Sequence, residues 1–139
     1  MSASLIFLVI AIVAVGLLAL IAITLTGKHS YTFDVEEYQT RWLKVENSLV
    51  KDDPRTYSMA VIDGDKLLDK ALNEMGLPGK TMGERLKRVT DKFEKPNAVW
   101  SAHKLRNQIA HEPGFETEYA QASRALAAFR QALKDLGAI

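Results

Sequence analysis

Hydrophobic residues follow two different patterns along this chain. From Leu5 to Gly27 they are almost continuous, and no charged residue interrupts them. Beyond Gly27 they recur at every third or fourth position between polar residues, which is the period of an amphipathic helix. No convincing strand-like alternation of apolar and polar residues is evident. The pattern therefore predicts an all-α protein, with one long apolar helix followed by a helical domain.

Two predicted helices open the domain. The first begins at Asp34, whose carboxylate can cap free amides, with Glu37 three residues later as a reciprocal cap. The second begins at Pro54, which suits the first turn of a helix, and ends at the glycine-rich turn 76–79. Their apolar faces advance in steps of three and four and consist of Val35, Tyr38, Trp42, Val45 and Leu49, and of Tyr57, Val61, Gly64, Leu68, Ala71 and Met75.

Three more amphipathic helices follow. Thr81 and Glu84 form a predicted capping box at the start of the first of them. Asn97 is the expected cap of the next, which Pro113 terminates, and the last runs from about Thr117 to Leu136. Their apolar faces are Met82, Leu86, Val89 and Phe93, then Ala98, Ala102, Leu105 and Ile109, then Tyr119, Ala122, Leu126, Phe129, Leu133 and Leu136.

Short connections between amphipathic helices favour antiparallel neighbours. The predicted fold is therefore a small up-and-down bundle of four to five helices over residues 34–139, preceded by a linker over residues 28–33. The last apolar seam would also fit one strand of a coiled coil. It lasts for fewer than three heptads, however, so core packing is the favoured interpretation.

Residues 1–27 are predicted to form a transmembrane anchor that contacts the membrane through residues 5–27. A helix of about 20 apolar residues spans a bilayer core of roughly 30 Å. A secretory signal peptide is the competing interpretation, but no basic residue precedes the stretch, and it is longer than a typical signal core. Because Lys28, Arg41 and Lys44 follow the span, the positive-inside rule predicts a single-pass protein of the cell membrane with a cytoplasmic C-terminal domain.

The overall charge of the chain is balanced, with 18 basic and 17 acidic residues. This balance argues against a surface that coats polyanions in general. Between Lys80 and Arg106, however, basic residues outnumber acidic ones, and such a local bias can attract nucleic acid. A solvated helix face is the competing explanation. The candidate RNA-binding residues are Lys80, Arg85, Lys87, Arg88, Lys92 and Lys104.

Candidate catalytic residues are concentrated on one predicted helix, and they are Arg106, Asn107, His111 and His103. Arg106 keeps its charge and presents a planar fork of donors to a phosphate. The imidazole of His111 can donate or accept a proton, which suits proton transfer. His103, Asn107 and His111 are spaced by four and share a helical stripe. Arg106 and His111 lie about 140° apart on a straight helix, so a frayed helix end or a second subunit would be needed to bring them together.

No metal ion or cofactor is predicted. The chain has no cysteine, and a zinc site made of His29, His103 and His111 would lack a fourth ligand. The run Asp63-Gly64-Asp65 resembles a fragment of a calcium loop, but the remaining ligands are missing. A glycine-rich phosphate loop is also missing from the sequence.

The stretch from Trp100 to Glu112, WSAHKLRNQIAHE, resembles the signature of HEPN domains, in which Arg and a polar residue are followed, after several spacers, by His. Those positions are Arg106, Asn107 and His111 here. The resemblance implies a metal-independent endoribonuclease acting on single-stranded RNA as a homodimer with paired motifs. It also implies that Arg106 binds the scissile phosphate, that His111 transfers a proton and that the products carry 2′,3′-cyclic phosphate and 5′-hydroxyl ends. His103 would be an auxiliary donor.

Two alternative roles stay open for the motif. Some HEPN proteins are catalytically silent and serve as binding or adaptor modules for RNA, a nucleotide or a protein. A purely structural role would pair Arg106 with Asp63 or Asp69 on a neighbouring helix. One branch of the family carries a modified Tyr two residues after the motif His, where this chain has Pro113, so that regulation is not supported. The sequence identifies no protein partner.

Overall fold

The computed structural model describes residues 2–26 and 31–139, which belong to two separate units. The first unit contains helix α1, Ala3–Thr26, and the second is a bundle of five helices. These are α2 (Val35–Ser48), α3 (Tyr57–Glu74), α4 (Met82–Val89), α5 (Pro96–His111) and α6 (Tyr119–Asp135). No strand occurs within the described ranges, so the predicted all-α fold is confirmed.

Helix α1 has 24 residues, which corresponds to a length of about 36 Å at the usual helical rise. It is long and apolar enough to cross a membrane, and its large apolar side chains from Leu5 to Ile23 are exposed. A signal sequence near the N-terminus has the same properties. Residues 27–30, which include the predicted basic flank at Lys28 and His29, lie outside the described residues.

The bundle begins earlier than predicted, because two residues assigned to the linker pack on it. Phe33 is buried, and its ring lies 5.4 Å from the ring of Tyr38 in an edge-on arrangement. Tyr31 packs against Phe33 in the same way at 5.3 Å. The domain boundary therefore falls before Tyr31 rather than at Asp34.

Side-chain caps explain where α2 and α4 begin. Asp34 accepts a hydrogen bond from the amide of Glu37 at 3.0 Å, and Thr81 accepts one from the amide of Glu84 at 3.2 Å, as predicted. Neither cap is reciprocal as expected: the Glu37 carboxylate pairs with Arg41, and the Glu84 carboxylate accepts from the amide of Lys80. The local signal thus located the helix starts but not every partner.

Three helix starts differ from the prediction. Residues Pro54–Thr56 form a short 3-10 helix of their own, and α3 begins at Tyr57. Helix α5 begins at Pro96 with Lys95 at the cap position, and Asn97 is already inside the helix. Pro96 has a fixed φ angle and no amide hydrogen to satisfy, so it is well suited to the first helical position. Helix α6 begins at Tyr119, where Glu118 and Gln121 form a reciprocal capping box.

The core is built around α3 and α6, and α3 also contacts α2, α4 and α5. Gly64 on α3 allows a close approach, because a Cβ at this position would lie 2.9 Å from a ring carbon of Phe129 on α6. The buried face of α6 packs into this core, which confirms core packing over a coiled-coil seam. The largest fully buried side chains of the bundle include Tyr38, Phe129, Leu68, Leu72, Leu86 and Leu133. Helix α3 thereby becomes the wall against which α4 and α5 form a cleft.

Candidate functional site

A cleft of about 720 Å³ lies among α3, α4 and α5. We call it the basic cleft because its lining contains more basic than acidic side chains. The basic residues are Lys66, Lys80, Arg85, Lys87, Lys104 and Arg106, and the acidic residues are Asp65, Asp69 and Glu84. All four candidate catalytic residues, His103, Arg106, Asn107 and His111, also line it.

Asp65 on α3 organises one end of the basic cleft. It is buried, with 4% of its surface exposed, and its Oδ1 lies 2.8 Å from Nδ1 of His103 on α5. Its second oxygen, Oδ2, lies 3.5 Å from Nε of Arg106. One carboxylate therefore faces two of the predicted catalytic side chains and joins α3 to α5.

Asn107 connects the same two side chains on the opposite side. Its Oδ1 accepts a hydrogen bond from Nη1 of Arg106 at 3.1 Å, and its Nδ2 lies 3.4 Å from Nε2 of His103. With this orientation of the amide, Nε2 of His103 acts as an acceptor. The imidazole proton then sits on Nδ1 and is donated to Asp65. Asp65, His103, Asn107 and Arg106 thus form a closed ring of polar contacts.

Arg106 keeps part of its donor capacity free for a ligand. Its side chain is 34% exposed, and Nη1 is the donor to Asn107. Nε is buried and makes no hydrogen bond with any described residue, while Nη2 donates to none of them either. A guanidinium has five N–H donors, so the outer edge of Arg106 can still bind an anion bidentately.

His111 is set apart from this ring. It is the last residue of α5, it is exposed, and it lines the basic cleft. Its side chain makes no hydrogen bond or ion pair with the described part of the chain. The structure therefore links Arg106 through Asn107 to His103, one turn earlier, rather than to His111.

The six candidate RNA-binding residues separate into three groups. Lys80, Lys87 and Lys104 are exposed and line the basic cleft. Arg88 and Lys92 are exposed but do not line it. Arg85 also lines it, but its guanidinium is bound to protein groups.

Arg85 is buried with 8% of its surface exposed, and its donors are occupied by protein groups. Its Nη2 lies 2.7 Å from Oδ1 of Asp69, and its Nη1 donates to the carbonyl of Gly79 at 2.9 Å. Arg85 lies on the inner face of α4 because it follows Met82 by three positions and precedes Val89 by four, and both of those residues are buried. The guanidinium of Arg85 therefore connects the turn that precedes α4 to helix α3, and it is not free to bind a ligand in the cleft.

Asp65 and Gly83 are two residues of the basic cleft that do not belong to the predicted site. A signal for Asp65 was present: it lies four residues after Val61 and three before Leu68, so it shares the buried stripe of α3. The structural alternative for Arg106 named Asp63 or Asp69, but the observed partner is Asp65. Gly83 lies beside His103, and a Cβ there would be 3.9 Å from its Nε2.

Within the described residues, no group of three or more His, Asp or Glu side chains is arranged to hold a metal ion. Comparisons with protein-family models, curated proteins and solved structures found no match to this chain.

Proposed function

We propose that the protein is a membrane-tethered, HEPN-like endoribonuclease that cleaves single-stranded RNA in the basic cleft without a metal ion. One observation supports this proposal above the others: all four candidate catalytic residues and three exposed candidate RNA-binding lysines line the same cleft. A strand of RNA carries a negative charge at each phosphodiester, so a cleft with this excess of cations attracts it.

Arg106 is the residue that binds the scissile phosphate in this proposal. Its outer edge faces outward from the contacts with Asp65 and Asn107, which hold the guanidinium in place. A fixed cation stabilises the additional negative charge that develops on a phosphate during cleavage. His111, exposed at the end of α5, donates a proton to the leaving oxygen.

The membrane part of the proposal depends on α1. Its length and apolar surface support a single membrane span, and the basic residues that follow in the sequence support a cytoplasmic bundle. We further propose a homodimer, since the HEPN resemblance implies two motifs that face each other. Such a pair would extend the cationic surface available to one RNA strand.

The test is cleavage of a mixed-sequence single-stranded RNA by the full-length chain in detergent micelles, with EDTA present throughout. We expect cleavage that leaves 2′,3′-cyclic phosphate and 5′-hydroxyl ends. Arg106→Ala and His111→Ala should each lower the rate by about 100-fold or more. Arg130→Ala is the matched control, because Arg130 is exposed on α6 and does not line the basic cleft.

A catalytically silent binding module is the second candidate. The observation that favours it is the closed ring, since Arg106 and Asn107 already have protein partners. Salt-sensitive RNA binding without cleavage, by a chain whose melting curve shows a folded bundle, would favour this candidate over the nuclease. The absence of both RNA cleavage and RNA binding would contradict both candidate functions.

A further inference from the structure

We propose that His103 is the general base of the reaction and that Asp65 is its positioning residue. This inference rests on the proposed ribonuclease function and assigns a second, distinct task to each histidine of the basic cleft. His103 takes the proton from the attacking 2′-hydroxyl, and His111 supplies a proton to the leaving oxygen.

The contact with Asp65 fixes the orientation and the tautomer of the His103 imidazole. His103 and Asp65 are both buried, with 8% and 4% of their surfaces exposed, and their contact of 2.8 Å lies within the range of a hydrogen bond from nitrogen to oxygen. A buried carboxylate that accepts from Nδ1 holds the ring in one orientation and one tautomer. The second nitrogen, Nε2, is then the basic one.

The space beside Gly83 gives a ligand access to Nε2 of His103. Gly83 lies next to it, and even a Cβ at this position would be 3.9 Å from Nε2 and 3.9 Å from a ring carbon of Trp100. A larger side chain would extend into this space. Gly83 is the second residue of α4, and we infer that the missing side chain leaves Nε2 open to the basic cleft.

The contact that Nε2 of His103 already makes with Asn107 is easily replaced. Nδ2 of Asn107 lies 3.4 Å away, beyond the usual range for a hydrogen bond from nitrogen. A ribose 2′-hydroxyl can displace the amide and donate its proton to Nε2 at a shorter distance. Asn107 keeps its shorter bond to Arg106 at 3.1 Å, so the phosphate-binding cation remains oriented.

The step balances within the RNA and the two histidines. Nε2 of His103 removes the 2′-hydroxyl proton while the 2′-oxygen forms a bond to phosphorus. The bond from phosphorus to the 5′-oxygen breaks with its electron pair on that oxygen, which takes a proton from the His111 imidazolium. The products are a 2′,3′-cyclic phosphate and a 5′-hydroxyl, and a proton passes from His103 back to His111 through solvent before the next turnover.

Asp65 has a further effect during this step. Once His103 is protonated, its positive charge lies beside a buried carboxylate, which stabilises the imidazolium. The same carboxylate faces Arg106 at 3.5 Å, so it also holds the phosphate-binding cation near the base. His111 has no comparable partner and is exposed, which suits an acid that exchanges protons with water.

A pair of substrates separates the two roles. Ordinary RNA needs a base for the 2′-hydroxyl and an acid for the leaving oxygen, whereas uridine 3′-(4-nitrophenyl phosphate) releases a stable phenolate and needs only the base. We expect His103→Asn, whose amide can still donate to Asp65, to lower kcat by about 100-fold or more on both substrates. His111→Asn should lower kcat similarly on RNA but leave the nitrophenyl ester within about threefold of the unmodified chain.

A second variant leaves the buried pair intact. Gly83→Val covers Nε2 from the cleft side, and we expect it to lower kcat on the nitrophenyl ester by about tenfold or more while the melting temperature is retained. It decides the question if His103→Asn fails to fold. Asp65→Asn should lower kcat by about tenfold or more, because the His103 imidazolium loses the carboxylate beside it. KM should not rise, because Asn107 still orients the phosphate-binding Arg106. A purely structural role would not divide kcat from KM in this way.

The outcomes distinguish this inference from the proposed function. Failure of the unmodified full-length chain to cleave either substrate would contradict the ribonuclease proposal and this assignment with it. Cleavage by the unmodified chain together with an unchanged kcat in a folded His103→Asn chain, or in Gly83→Val, would overturn only the assignment of His103. Equal losses in both histidine variants on the nitrophenyl ester would also overturn it, since His111 would then act on the attacking side.

Discussion

His103 on α5 and Asp65 on α3 are 38 positions apart in the sequence, and their side chains meet at 2.8 Å inside the bundle. The same carboxylate faces Arg106 at 3.5 Å. Removing Asp65 would therefore leave a buried imidazole N–H without an acceptor and a half-buried guanidinium without its counter-ion. The contact contributes to the stability of the bundle as well as to the geometry of the basic cleft.

Asp65→Ala should accordingly lower the free energy of unfolding by about 1–3 kcal/mol, the range for a buried donor that loses its partner. Urea unfolding followed by circular dichroism measures this change. Asp63→Ala is the matched control, since Asp63 is half-buried on the same helix and makes no ion pair among the described residues. It should change stability by about 0.5 kcal/mol or less. Similar losses in the two variants would contradict the argument.

Arg85→Ala should destabilise the bundle by about 1.5–3 kcal/mol, because it breaks charge-assisted hydrogen bonds to Asp69 and removes a donor to the carbonyl of Gly79. Lys87→Ala, on the exposed side of the same helix, should have little effect. Thermal melting of both variants measures the difference. If Lys87→Ala were the more damaging change, the buried role of Arg85 would be wrong.

Two glycine substitutions should have opposite signs. Gly64→Ala places a methyl group 2.9 Å from the Phe129 ring, and overpacking of this kind costs about 1–3 kcal/mol. Gly83→Ala meets nothing closer than 3.9 Å and should gain up to about 1 kcal/mol from helix propensity. Chemical denaturation of the two variants would test this, and an increase in stability for Gly64→Ala would show that α3 and α6 can separate without cost.

Alkaline pH should destabilise the bundle through Tyr38. Burial, with Glu74 and Glu37 nearby, raises the pKa of Tyr38 above its ordinary value of 10.0. Unfolded chains therefore lose this proton first as the pH rises. The contribution of Tyr38 is fully present below about pH 10 and declines above it, by up to about 1.4 kcal/mol per pH unit.

Urea unfolding measured from pH 9 upward tests this decline, and Tyr38→Phe is the informative variant. Its stability should fall less steeply above pH 10 than that of the unmodified chain, although Tyr57, whose pKa burial also raises, retains part of the dependence. Parallel curves for the two chains would show that Tyr38 does not carry the effect.

Salt dependence should identify the lysines that contact RNA. Each phosphate neutralised on a single strand contributes a slope of about −0.7 to the plot of log affinity against log salt. Lys104→Ala should therefore weaken binding and reduce the magnitude of the slope by about 0.7. Lys134→Ala is the matched control, because Lys134 is exposed on α6 outside the basic cleft. Equal changes in both variants would indicate diffuse attraction rather than binding in the cleft.

Much of the bundle follows from the sequence alone. The caps at Asp34 and Thr81 were predictable, as were the apolar faces that became the core, because both depend on residues within a few positions of each other. The prediction that Asn97 caps α5 was wrong, because the helix already begins at Pro96. The capping side chain of Asn97 and the proline at position 96 are both local signals, and the fixed φ angle of proline sets the start of the helix.

The candidate site was predictable only in part. Helical spacing placed His103, Asn107 and His111 on one stripe, and the lysines of residues 80–104 were recognised from charge. Spacing within α5 could not identify Asp65, because that contact depends on how α3 and α5 pack. The pairing of Arg85 with Asp69 depended likewise on the packing of α4 against α3.

The sequence by itself determined an all-helical chain with a long apolar segment, because helix period and apolar length are local properties. Tertiary structure decided which polar groups meet, namely Asp65 with His103 and Arg106, and Asp69 with Arg85. Packing of apolar faces sets the distances between helices, and a buried polar group then takes whichever partner lies within hydrogen-bond reach. The partner of a buried polar group therefore lies on another helix, and the order of residues along a single helix does not predict it.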